Sequence, residues 1–167
     1  VKKGSVVPMN YHFTTTLAHI QLNGGTVVEL YTPEAMKIKS NHPFKGNIDI
    51  QRLEDLIIKN TPDNVPFIRM EASTNLIGGQ PFSMKNLEDV RKIADKYKIL
   101  VVMDASLIGE NAYFINKREE EYHDKSIASI LKKMCDLSDI VYFSGRKVSS
   151  SRGGGICTNS KDLFNKM

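Results

Sequence analysis

Three short apolar runs in this 167-residue chain each give way to residues that can do chemistry. The run at 65–70 leads into Glu71-Ala72-Ser73-Thr74-Asn75 and then Gly78-Gly79-Gln80-Pro81. The run at 99–103 leads into Asp104-Ala105-Ser106. The run at 140–143 leads into Ser144-Gly145-Arg146-Lys147, then Ser149-Ser150-Ser151-Arg152 and the glycines at 153–155. An amide, a carboxylate, a hydroxyl and a lysine thus follow three strand-like segments. In open α/β sheets, ligands bind beyond the carboxyl ends of the strands. Two chemistries suit the set. Asp104 and Lys147 can form an ion pair that ties neighbouring strand ends together. Alternatively, they can serve pyridoxal phosphate, which needs a lysine for a Schiff base and an acid facing its pyridine nitrogen. The acid keeps that nitrogen protonated, so the ring can draw electrons from a substrate Cα. The lysine must lose its proton to attack, and an adjacent cation such as Arg146 favours that. The glycine runs match neither the GxGxxG nor the GxxxxGK[ST] spacing, so dinucleotide and nucleoside-triphosphate motifs are absent.

The elements that must position these residues alternate between strand and helix patterns. Upstream, 15–23 reads as a helix ending at Gly24-Gly25, followed by a strand at 26–31. A long irregular connection spans 32–47, of the kind that is often functional or contacts a partner. A helix at 50–59 turns Leu53, Leu56 and Ile57 inward. The helix at 83–98 starts at Ser83 as N-cap and presents Met84, Leu87, Val90, Ile93 and Tyr97 on one face. The near-continuous run at 99–103 suits a strand buried on both sides, as in a parallel sheet under helices. A helix at 126–137 buries Ile127, Ile130, Leu131, Met134 and Leu137. A strand at 156–158 and a helix start near Ser160 close the chain. This order predicts a layered α/β/α fold with a mostly parallel sheet.

Composition narrows the function classes. Hydrophobic residues make up 41% and charged residues 25%, which excludes disorder as the main description. No apolar run nears the roughly 18 residues a membrane helix needs, and no signal peptide is evident. The net charge of +4 is spread among acids, as in Lys117-Arg118-Glu119-Glu120-Glu121, so a nucleic-acid partner is not expected. Cys135 and Cys157 read as small apolar residues in a reducing compartment, and a cytoplasmic location follows. His12, His19, His42 and His123 lack metal-ligand spacing, so no metal site is expected.

Five motifs carry a resemblance. They are Phe13-Thr14-Thr15-Thr16, His42-Pro43-Phe44-Lys45-Gly46-Asn47, Asn75-Leu76-Ile77-Gly78-Gly79-Gln80-Pro81, Glu110-Asn111-Ala112-Tyr113-Phe114-Ile115 and Ser144-Gly145-Arg146-Lys147. In order and over nearly the whole chain, they resemble the β-eliminating lyases, the family of tyrosine phenol-lyase and tryptophanase. The likeness is somewhat greater to the first around 42–47 and Arg118-Glu119-Glu120. It implies the aspartate-aminotransferase type of pyridoxal phosphate fold (fold type I), with the active site at a dimer interface of a homodimer or homotetramer. Residues 1–167 correspond to the central portion of the cofactor-binding large domain. The main phosphate loop is then expected upstream. The arginine that grips the substrate carboxylate is expected downstream, in a smaller C-terminal domain, so this stretch alone would be inactive.

The resemblance also implies roles. Lys147 matches the lysine that carries the cofactor, and Asp104 the carboxylate facing the pyridine nitrogen. Asn75 matches the amide on the phenolic oxygen, Phe13 the aromatic stacked on the ring, and Ser144 a phosphate ligand. Thr14 matches a hydroxyl near the substrate side chain, and Arg146 stands where the family has a second lysine. The implied reaction eliminates an aromatic group from Cβ of tyrosine or tryptophan and yields pyruvate and ammonia. Departures point to alternatives. Leu107 replaces an arginine that helps hold the phenolic oxygen. Val148 and Arg152 replace residues near a monovalent (K+) cation site, where a fixed guanidinium would replace or repel the ion. A diverged pyridoxal phosphate enzyme with another amino-acid substrate, and a non-catalytic fragment or pseudoenzyme subunit, remain the competing readings.

Overall fold

The three chemistry-bearing runs form neighbouring strands of a six-stranded sheet in a computed structural model that describes residues 1–167. The strands are β1 (Val6–Met9), β2 (Thr26–Glu29), β3 (Phe67–Glu71), β4 (Leu100–Asp104), β5 (Ile140–Ser144) and β6 (Gly154–Cys157). Their spatial order is β2-β1-β3-β4-β5-β6. All neighbours run parallel except β5 and β6. Parallel pairing needs crossovers, and these are supplied by α1 (Thr14–Leu22), α2 (Ile50–Asn60), α3 (Met84–Tyr97), α4 (Ile108–Arg118) and α5 (Ile127–Asp136). Two short helices, α6 (Gly145–Ser149) and α7 (Lys161–Phe164), flank β6. None of the helices is long and apolar enough to cross a membrane.

Side-chain alternation along the strands divides the molecule into two faces. Ile68 and Met70 of β3, Val101 and Met103 of β4, and Val141 of β5 join a cluster of 25 buried residues. Leu53 and Ile57 of α2, Leu87 and Val90 of α3, Ile115 of α4 and Met134 of α5 complete it. On the other face, Val7 and Met9 of β1 pack with Ile20 of α1 in a separate small cluster that Phe67 touches. Residues one step out of phase with the large core therefore turn toward the α1 side. In β3, β4 and β5 these include Arg69, Glu71, Asp104 and Tyr142.

The helix starts follow from their caps. The side chains of Asp49, Ser83, Ser126 and Ser160 accept from the backbone N–H groups of Arg52, Asn86, Ser129 and Leu163, which satisfies donors that the first turn leaves free. Helix α1 stops where Gly24 adopts φ +74°, a conformation that glycine takes without steric cost.

Three elements depart from the sequence expectation. β1 carries Pro8, which has no N–H to donate, and meets β3 at the single pair Met9–Arg69. Helix α6 is five residues long, too short to show a period. The last strand begins at Gly154 rather than at 156. A Cβ on Gly154 would lie 2.2 Å from the Phe143 carbonyl oxygen, so glycine is what lets β6 close against β5.

Candidate active site

Register sets the site. Glu71 lies opposite Asp104, and Asp104 opposite Tyr142, so β3 and β4 end level and β5 runs two residues further, to Ser144. The ion pair expected as one option between Asp104 and Lys147 gives way to another. Asp104 pairs with Arg69, a residue hidden inside the apolar run at 65–70. Arg69 is 0% exposed. Its Nη2 donates to Asp104 Oδ2 at 2.5 Å and its Nη1 to Glu71 Oε2 at 3.0 Å. Its Nε donates to the Tyr142 hydroxyl at 2.8 Å, and that hydroxyl donates to Asp104 Oδ2 at 3.0 Å. The other oxygen of Asp104, Oδ1, accepts from the Ser106 N–H at 3.1 Å.

Burial opposes the charge on Arg69, but Tyr142, Glu71 and Asp104 more than offset it. Its pKa therefore lies above the ordinary guanidinium value. Burial pushes the Glu71 carboxyl up, against the pull of Arg69 and of the Asn75 N–H. Burial likewise raises the Tyr142 phenol. A single arginine in a run of Val, Pro, Phe, Ile and Met was the available signal: a charge there must be paired.

With Asp104 engaged from below, Lys147 is free to reach elsewhere. Its Nζ lies 4.5 Å from the centroid of the Phe13 ring. Both border a cleft of about 460 Å³, within the usual range for small-molecule sites. Thr15, Thr16, Asp104, Ser144 and Arg146 also line it. Of the residues singled out from the sequence, Phe13, Asp104, Ser144, Arg146 and Lys147 meet there. Thr14 is exposed and lies outside the lining, to which the adjacent Thr15 and Thr16 of the same turn of α1 contribute. Asn75 lies beyond the end of β3, outside the lining, and its N–H donates to Glu71 Oε1 at 3.0 Å. A second hollow of about 580 Å³ shares Ser106 and Lys147 with the first. Ile108, Tyr113, Phe114, Leu131 and Val148 make it largely apolar.

Comparison with known proteins fits this geometry. A family model described as "Beta-eliminating lyase" matches residues 3–166. The chain belongs to the β-eliminating lyase family. It is 41% identical over 165 residues to the tyrosine phenol-lyase of Nostoc punctiforme, covering 98% of this chain and 35% of that protein. It is 43% identical over 167 residues to the tyrosine phenol-lyase of a Symbiobacterium species, covering 99% and 36%. The chain thus spans about a third of the length of these relatives. Among solved structures, cystalysin from Treponema denticola, which contains pyridoxal 5′-phosphate, superposes with a TM-score of 0.62. That match has 15% identity and covers 99% of this chain and 38% of cystalysin, so it speaks to the fold.

Two asparagines, one of them in the motif at 110–115, are structural supports of the site. Asn111 is fully buried, and its Oδ1 accepts from the N–H groups of Ser73 and Phe82 at 2.9 and 3.1 Å. Its Nδ2 donates to the Phe82 carbonyl at 2.9 Å. Asn10 pins the end of β3 and the loop after it, donating to the carbonyls of Gly46 and Glu71 at 3.0 Å and to the Thr74 hydroxyl at 3.1 Å, and accepting from the Glu71 N–H. Between them Ser73 is held at φ +50°, a left-handed conformation that costs an ordinary residue about 1–2 kcal/mol.

Proposed function

We propose that this chain is the catalytic-lysine segment of a pyridoxal phosphate-dependent lyase that eliminates a group from Cβ of an amino acid, with tyrosine or tryptophan as substrate. The observation that carries this reading is the convergence of an amine, an aromatic face and a buried carboxylate on one cleft at the strand ends. That donor set fits the cofactor. Lys147 would hold its aldehyde carbon, Phe13 would stack on the ring, and Asp104 would face the ring nitrogen. Asn75 would approach the phenolic oxygen, and Ser144 with Arg146 would hold the phosphate. When bound, pyridoxal phosphate supplies an electron sink that makes the substrate Cα–H acidic.

The chain's own residues divide the remaining work. Lys147, which stands over the Phe13 ring, would be the amine that accepts or returns the Cα proton. Asp104, paired with Arg69, would accept a hydrogen bond from the group facing it. The apolar hollow lined by Ile108, Tyr113 and Phe114 adjoins Lys147 and suits an aromatic side chain. The whole protein is proposed to be a homodimer or homotetramer with the cleft at a subunit interface, acting in the cytoplasm. The test is pyruvate release by the whole protein, supplied with pyridoxal phosphate and offered tyrosine, tryptophan, cysteine and serine in turn. Release from tyrosine or tryptophan is the expected result. Release only from cysteine or serine would replace the aromatic substrate by the diverged reading, and no release from any of the four would contradict lyase activity.

A further inference from the structure

Arg69 and Tyr142 have no part in the roles given so far, yet they contact the same carboxylate oxygen. Oδ2 of Asp104 receives Arg69 Nη2 at 2.5 Å and the Tyr142 hydroxyl at 3.0 Å. Oδ1 receives one backbone N–H, from Ser106 at 3.1 Å. A carboxylate oxygen can accept about two hydrogen bonds. Oδ2 is therefore saturated from within the protein, and Oδ1 keeps one free direction. Asp104 itself borders the cleft.

We propose that Arg69 and Tyr142 are positioning residues that hold Oδ2 of Asp104, so that the ring nitrogen of bound pyridoxal phosphate meets Oδ1 alone and its proton is held less tightly. The proposal rests on the reading of Asp104 given above. Its physical basis is simple. A cation and a hydroxyl donating to a carboxylate draw charge from it and make it a weaker partner for a further proton. The charged and titratable groups around Asp104 are few. Arg69 and Glu71 face it from β3, Tyr142 from β5, and Arg146 and Lys147 border the cleft from α6. The lining residues of α1, Thr15 and Thr16, carry no titratable group.

The arrangement would also link the two residues proposed to meet different edges of the cofactor, Asp104 and Asn75. Arg69 reaches Glu71 Oε2, and Glu71 Oε1 accepts the Asn75 N–H. One buried guanidinium therefore aligns the strand end that bears Asp104 with the loop that bears Asn75.

The test uses the whole enzyme loaded with pyridoxal phosphate labelled with 15N at the ring nitrogen. The 15N shift is followed against pH in the native protein, Tyr142→Phe and Arg69→Lys. Tyr142→Phe keeps the ring and removes one donor to Oδ2, so the titration midpoint should rise by about one pH unit, a roughly tenfold tighter hold on the proton. Arg69→Lys keeps the charge but loses the planar fork, and its midpoint should rise as well. A loss of packing alone would not move this midpoint upward in both variants. An unchanged midpoint in both, with cofactor still bound, overturns the proposal. So does a native ring nitrogen that stays protonated across the whole stable pH range. If the native enzyme shows no visible cofactor band, or the band survives Lys147→Ala, the functional reading fails and this inference falls with it.

Discussion

Arg69 is the residue on which the site's stability turns. Its side chain is 1% exposed and shares its charge between Glu71 and Asp104, with side chains 4% and 8% exposed. Removing one member of a buried charge cluster leaves the others unpaired, which typically costs about 3–5 kcal/mol. Arg69→Met is therefore expected to lower the unfolding free energy by about that amount, measured by denaturant titration. A loss below about 1 kcal/mol would mean that water reaches the two carboxylates. The residue was legible in principle, since an arginine inside an apolar run must find partners. Which partners it finds depends on cross-strand register, which the sequence does not display. Phe13, Asp104 and Lys147 were legible because each lies in a motif or just beyond a strand. The rotation of α1 was not. It puts Thr15 and Thr16 in the cleft lining and leaves Thr14 in solvent.

The elements act by holding loops in place. Asn111, buried inside α4, satisfies three backbone groups of the 73–82 loop. Asn111→Leu keeps the size and leaves those groups unpaired, and should cost about 3 kcal/mol in an equilibrium melt. A near-neutral outcome would mean that the loop finds other partners. A second element-level expectation concerns α2 and α3. Glu54 of α2 accepts from Lys96 Nζ at 2.7 Å and from the Tyr97 hydroxyl at 3.0 Å. These bonds hold its carboxyl below the ordinary value of 4.5. The folded state then binds this proton less readily than the unfolded one. The stabilisation is complete above pH 4.5 and is lost as pH falls through the lowered value. Thermal melts of the native protein and Glu54→Gln should thus differ near neutrality and converge in acid. Parallel curves would refute the linkage. Periodicity displayed α3 and α5 clearly, and the apolar runs displayed β3, β4 and β5. β1 was hidden by Pro8 and by its four-residue length.

At the scale of the molecule, the chain supplies a cleft but leaves much of it open. Phe143, Arg146 and Lys147 are all exposed. Elimination chemistry works best where water is excluded from the reacting groups. The chain spans 35% and 36% of two tyrosine phenol-lyases. Residues 1–167 expressed alone are therefore expected to release no pyruvate from tyrosine, tryptophan, cysteine or serine, in contrast to the whole protein. Turnover by the isolated segment would show that the cleft is complete as it stands. The sequence displayed the layered α/β plan because parallel strands buried on both sides read as continuous apolar runs. It could not display the charged cluster on the α1 side of the sheet, because Arg69 and Glu71 of one strand meet Asp104 and Tyr142 of two others only through register.

The central claim is that Lys147 is the residue to which pyridoxal phosphate attaches. The most direct measurement is to load the whole protein with the cofactor, reduce it with borohydride, digest it and locate the modified residue by mass spectrometry. One phosphopyridoxyl group on the peptide that contains Lys147 is the predicted result. A group on another lysine, or none at all with cofactor present in excess, would contradict the claim.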